Sequence, residues 1–142
     1  MSAENLALAR RVLDEVFNAG KLDLVDELVT SDYVGHDPAL PAELRGPEAA
    51  KASVAGYRAA FPDLQLTIED QLAGGDLVAT RWTGRGTHQG ELMGLPPTGK
   101  QSTVTGITID KIVNGRIAES WTNWDTLGML QQLGAVPALA TA

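Results

Sequence analysis

The chain has 142 residues, 44% hydrophobic and 20% charged, which suits one soluble domain with a single core and argues against long disorder. It holds no cysteine, so disulfides, thiolate metal sites and cysteine nucleophiles are excluded. A net charge of -7 disfavours a nucleic-acid partner, because phosphates are neutralised by Lys and Arg.

The N-terminal run MSAENLALARRV is interrupted by Glu4, Arg10 and Arg11, so it lacks the apolar core of a signal peptide, and no stretch is long and apolar enough to span a bilayer. A cytoplasmic protein without a membrane partner is expected, as one domain over residues 1–142. Leu6, Ala9, Leu13, Val16 and Phe17 recur at helical spacing, with Arg10, Arg11, Asp14 and Glu15 on the other side and Gly20 as a stop signal. Asp23 caps a second, short helix with Leu24, Val25, Leu28 and Val29 on its inner face. Gly46-Pro47-Glu48 opens a third, since proline suits the first helical position and an acid there suits the helix dipole. Val54, Tyr57 and Ala60 or Phe61 form its buried side, and Phe61-Pro62-Asp63 ends it.

After residue 63 the period becomes alternating, with Leu64, Leu66, Ile68 and Leu72 on one face of a first strand. Gly74-Gly75-Asp76 turns the chain into a second strand, Leu77 to Thr87. A third, Gln101 to Val113, is joined through the hairpin signal Asn114-Gly115 to a closing strand, Ile117 to Asp125. The sheet is expected to be antiparallel. Between the second and third strands, HQGELMGLPPTGK is a Gly- and Pro-rich loop whose Leu92, Met93 and Leu95 could cap a cavity. A short helix, Thr126 to Leu133, follows, and the tail PALATA is expected to fray. Helices first and a long curved sheet afterwards make an α+β domain with the helices on one face of the sheet.

The closing strand is chemically unusual. Its alternation puts Glu119, Trp121, Asn123 and Asp125 on one face and Ala118, Ser120, Thr122 and Trp124 on the other, so neither face carries an ordinary apolar stripe. Such a strand is an exposed edge or a pocket wall, and its tryptophans favour the wall. The face with Trp121 is expected to look inward, with Asp125 at the pocket's rim or floor. A carboxylate there would be desolvated, which disfavours its charged form and moves it toward the working range of a general base. The alternative is that Asp125 only caps the helix after it.

NAGKLDLVDEL, DYVGHDPALP, RGPEAAK, FPDLQLTIED, VATRWTGRGTHQG, GLPPTGK and NGRIAESWTNWD, in this order and spacing, resemble the SnoaL-like polyketide cyclase family over nearly the whole chain. The resemblance implies an NTF2-like cone, a curved antiparallel sheet wrapped around three N-terminal helices, with a deep apolar pocket open at one end. It also implies an enzyme with no cofactor and no metal, in which the aspartate matching Asp125 is the acid/base of an intramolecular aldol closure on a polyketide-like carbonyl compound.

His36, in the loop after Tyr33, can donate to an enolate or relay a proton, and is the second catalytic candidate. Its alternative is a structural tie of the loop to a backbone carbonyl, and Asp37 is read as a turn residue before Pro38. Arg81 would bind a carboxylate or enolate oxygen if it faced inward, or form a surface ion pair if it did not. Tyr33, Trp82, Met93, Trp121 and Asn123 complete the expected ligand contacts, with His88 near the cap loop. The two histidines lack any carboxylate spacing for a metal.

Other readings stay open. Ketosteroid isomerase has a similar fold and uses an Asp base with a Tyr and a protonated Asp. Asp37 resembles its base-bearing segment, yet its Tyr position falls on Leu13 and its second acid on Thr108 or Asp110. An epoxide-hydrolase-like enzyme and a ligand-binding protein without turnover are further alternatives. A homodimer or higher homo-oligomer is expected, because helices cover only one face of the sheet.

Overall fold

The computed structural model describes residues 2–137, so most of the tail read as frayed lies outside the described residues. Helix α1 (Ser2–Arg11) continues without a break into a π-helical stretch, Val12–Asn18, and a 3-10 turn, Leu22–Leu24, leads into α2 (Val25–Leu28). After β1 (Val29–His36) and β2 (Leu44–Arg45) comes α3 (Gly46–Ala60), with Pro47 in its first turn as its sequence requires. Strands β3 (Gln65–Gly74), β4 (Leu77–Thr87), β5 (Gln101–Val113) and β6 (Arg116–Trp124) follow, and α4 (Thr126–Gln132) closes the fold.

The architecture is α+β: one six-stranded sheet in the order β2-β1-β6-β5-β4-β3. From β3 to β6 it is an antiparallel meander, as expected. Two strands were not foreseen, and one of them corrects the antiparallel expectation, because β1 pairs with β6 in parallel, Gly35 opposite Ser120 and His36 opposite Trp121. The segment read as the end of a short helix and a loop is this strand. Val29, Tyr33 and Gly35 are its buried positions, and exposed Ser31 and Asp32 break up its apolar alternation in the sequence.

Two irregularities set which side chains face the helices. In β3 the register with β4 shifts between Ile68, opposite Trp82, and Asp70, opposite Arg81. The extra residue, Glu69, moves every later side chain to the other face. Leu72, expected on the same face as Leu66 and Ile68, is instead 73% exposed and lies opposite Ala79, while Gln71 reaches inward to Thr80. In β6 a second shift leaves Ala118 outside the ladder, so that Ile117 and Ser120 both meet inward-facing residues of β5, Ile112 and Asp110.

Inward positions then form cross-strand rows: Val78, Asp110 and Ser120; Thr80, Thr108 and Thr122; Trp82, Gly106 and Trp124. A side chain at 106 would collide with Trp82, whose ring passes 2.3 Å from where a Cβ would stand. Glycine there lets the indole lie flat against the strand. The core lies between this face and the helices, where Ala9, Val16, Leu28 and Val54 pack against Val78, Ile112 and Ile117.

Candidate active site

Between helices and sheet the packing leaves a cavity of about 190 Å³. Val12, Leu13, Val16 and Phe17 line one wall, all from the π-helical stretch. The wider turn of that helix type lets four residues of a short segment share one side, and π-helical segments frequently occur at functional sites. Tyr57, Phe61 and Leu64 close another part, and the sheet contributes Trp82, Val104 and Trp124.

Against this apolar lining stand a few polar groups. Asp37 lies where β1 leaves the sheet. Its Oδ1 accepts from the Ala39 backbone N–H at 2.9 Å, the turn role read from the sequence, and its Oδ2 accepts from the Tyr57 hydroxyl at 3.3 Å and from Trp124 Nε1 at 3.2 Å. Burial, then the neighbouring charge of Asp37, pushes the Tyr57 phenol far above its ordinary range, so it stays protonated and a donor. In the middle row, Trp82 Nε1 donates to Thr108 Oγ1 at 3.1 Å, and Thr108 and Thr122 share a hydrogen bond at 3.0 Å. In the row beyond, the Ser120 hydroxyl donates to Asp110 Oδ1 at 2.6 Å, with the buried Tyr33 phenol beside it. Burial raises Asp110 to about 6, partly offset by the Ser120 hydrogen bond.

The structure separates the residues nominated from sequence. Tyr33 and Trp82 line the cavity. The inward face of β6 is the one not chosen: Ser120, Thr122 and Trp124 line the cavity, while Trp121 is 37% exposed on the opposite face and Asn123 is exposed beside it. Alternation was read correctly and its phase was not, because both faces offer a tryptophan among polar residues. Asp125 is exposed, lies outside the cavity lining, and accepts from the Gly128 N–H at 2.8 Å as the N-cap of α4.

His36 borders the cavity, yet its imidazole turns to the outer face, stacked on Trp121 and bonded through Nε2 to Glu119 Oε2 at 2.6 Å, with Glu43 at 3.5 Å from Nδ1. His36 is thus a structural tie, but to carboxylates rather than to the backbone carbonyl of the alternative reading. Glu119 is thereby paired to His36. Arg81 is on the outer face too, where Nε donates to Asp70 at 2.8 Å. His88 is fully buried but off the cavity lining. Its Nδ1 accepts from the Thr98 N–H, and its backbone pairs with Gly99 and Lys100, so it fastens the base of the 89–100 loop. Met93 sits 45% exposed in that loop in a left-handed conformation, φ 52°, outside the lining, whereas Leu92 and Leu95 pack with Phe61, Met129 and Leu133.

Ser120, Thr122 and Tyr57 were not among the sequence candidates, and Asp110 entered only as one possible match to the second acid of ketosteroid isomerase. The available signal was the charge of Asp110 in a strand whose same-face neighbours are Thr108 and Ile112, an expensive residue to bury without a role.

A curved six-stranded sheet packed on helices, with an apolar cavity lined by two aspartates, can be set against known proteins. The sequence profile of the SnoaL-like polyketide cyclase family matches residues 7–133. The chain belongs to that family. The aklanonic acid methyl ester cyclase DnrD of Streptomyces peucetius is 35% identical over 133 residues, covering 89% of this chain and 88% of its own. Among solved structures, IdmH of Streptomyces antibioticus is 38% identical with a TM-score of 0.80, covering 92% of this chain and 98% of its own. A SnoaL-like protein of Jannaschia sp. CCS1 reaches a TM-score of 0.88 at 25% identity, over 96% of this chain and 95% of its own. These relatives support a cyclase role and the NTF2-like fold. Among the described residues, no helix is long and apolar enough to cross a membrane.

Asp110 generates a pH prediction. Its folded-state value, about 6, lies above its ordinary 3.8, so between these values the folded chain holds the proton more tightly than the unfolded one. Stability contributed by this proton is present below about pH 4 and is lost as pH rises through 6, a total of about 3 kcal/mol. Asp110→Asn, which can still accept from Ser120, should abolish that slope and melt higher than wild type at pH 7. Thermal melts of both proteins from pH 4 to 7 check this, and parallel pH profiles would contradict it.

Proposed function

We propose that this chain is a cofactor-independent cyclase that closes a ring by intramolecular aldol addition, with Asp37 moving the proton. The observation that carries this reading is the Asp37 carboxylate bordering an apolar cavity, with Oδ2 held, among the described residues, by two long hydrogen bonds from Tyr57 and Trp124. A substrate carbon between two carbonyls would give its proton to Asp37. The enolate carbon then attacks a second carbonyl of the same molecule, forming the carbon–carbon bond, and the resulting alkoxide takes the proton back from Asp37. Tyr57, kept protonated by its surroundings and donating to Asp37 at rest, would turn that donor to the enolate oxygen once Asp37 has taken the proton, the charge whose stabilisation counts most in such reactions. Relatives named as cyclases of an acid methyl ester support a substrate carrying an ester carbonyl.

The base was expected at Asp125. Its exposure and its cap bond to Gly128 support assigning the proton transfer to Asp37 instead. They also favour a second reading, a binding protein without turnover, because the position first expected to be catalytic is occupied by a structural task. Asp37→Asn keeps an acceptor for Ala39 but cannot take a proton and turns an amide N–H toward Trp124, so it should melt somewhat lower, stay folded and lose about 10²-fold or more of the rate. Asp125→Asn should keep both rate and melting point, while Asp125→Ala should lose about 1 kcal/mol of stability. Turnover of bicyclic and tricyclic keto-esters, with melts of each variant, separates the cases. Full activity in Asp37→Asn with loss in Asp125→Asn would return the role to Asp125, and absence of turnover in wild type would favour the binding protein.

The outer face of the sheet supports a homo-oligomer. Leu72, Ala79, Ile109 and Trp121 form one row across four strands, with exposed Ile107 beside it and the Asp70–Arg81 ion pair next to both. A second copy packed on this row would remove it from water. Ile109→Lys should then sediment as a monomer where wild type sediments as a dimer or larger, and a wild type that is monomeric throughout the micromolar range would contradict the assembly.

A further inference from the structure

The polar groups of the cavity are unequally satisfied. In the middle row Trp82, Thr108 and Thr122 bond one another and leave little capacity for a ligand. At one end stands Asp37 with Tyr57 and Trp124. At the other stands Asp110, a carboxyl on the cavity lining that is only 5% exposed. Ser120 occupies its Oδ1, and among the described residues no other side chain bonds it. Trp124, which holds Asp37, is four residues beyond Ser120 on the same strand face, a rise of about 13 Å.

Asp110 Oδ2 keeps capacity for a further hydrogen bond, since the apolar neighbours Val78, Ile112 and Ile117 supply no donor and the Tyr33 phenol stands beside Ser120. We propose that Asp110, with Ser120 and Tyr33, is a recognition subsite for a hydroxyl or carbonyl oxygen at the far end of the ligand, and that it decides which end of the ligand meets Asp37. This rests on the cavity being the ligand site, as in the function proposed above, but not on Asp37 being the base. The two hydrogen-bonding states of the carboxyl suit both oxygen types: ionised it accepts from a phenolic hydroxyl, and protonated it donates to a ketone. The ligand class is a flat, apolar ring system with an oxygen at the end remote from the reacting carbons.

Binding rather than turnover tests this, with 2-naphthol and 2-methylnaphthalene as probes of nearly equal shape and quenching of cavity tryptophan fluorescence as readout. Wild type should prefer the naphthol by about tenfold, the worth of one good hydrogen bond. Asp110→Val should bring that ratio to near one while still binding 2-methylnaphthalene. Asp110→Asn, which keeps hydrogen-bonding capacity and relieves the buried charge, should retain the preference and guards against a folding artefact. Asp37→Asn should leave the ratio unchanged. If the preference survives Asp110→Val, or disappears in Asp37→Asn alone, the subsite is overturned while the cavity reading stands. If neither probe binds wild type, both fall.

Discussion

Ile117 and Ser120 both face the interior although three positions separate them, because Ala118 is left out of the ladder between β5 and β6. That one bulge fixes the phase of all that follows on β6, since side chains alternate strictly along a strand. With the phase set, Ser120 reaches Asp110, Thr122 reaches Thr108 and Trp124 reaches Asp37, and the cavity acquires its polar groups. The same phase sends Glu119 and Trp121 outward, where they hold the imidazole of His36. A shift by one residue would exchange the two sets.

The sheet's other strands conform to this arrangement. Trp82 lies flat only because position 106 has no side chain, and its N–H then finds Thr108 instead of remaining unpaired. The parallel pairing of β1 with β6 brings Gly35 beside Ser120 and carries the chain directly into Asp37, so the carboxylate enters the cavity from the strand's end. Two aspartates thus share one cavity in different settings. Asp110 is deeply buried with one donor, and burial pushes it up, whereas Asp37 is half-buried with three donors.

Much of this was legible in the sequence. Period and turn signals located α3, both ends of β4 and β5 and the Asn114-Gly115 hairpin, because these are local properties of the chain. The bulge in β3 was not legible, so Leu72 was turned inward, and β6 was phased the wrong way because both of its faces offer a tryptophan among polar residues. Strand β1 was hidden because Ser31 and Asp32 interrupt its alternation, and its pairing partner lies more than eighty residues away. The capping role of Asp125 was foreseen as an alternative from its place before Thr126, whereas the meeting of Asp37, Tyr57 and Trp124 depends on three elements no local pattern connects.

The central claim is that a carboxylate in this cavity removes a proton from a carbon between carbonyls. The most direct measurement is deuterium uptake from D₂O, followed by proton NMR, into a keto-ester that can enolise there but has no second carbonyl to close a ring. Wild-type protein should accelerate uptake at that carbon well above the buffer rate, and a tight-binding apolar competitor should suppress the acceleration. Uptake indistinguishable from buffer, with the keto-ester shown to bind, would contradict the account.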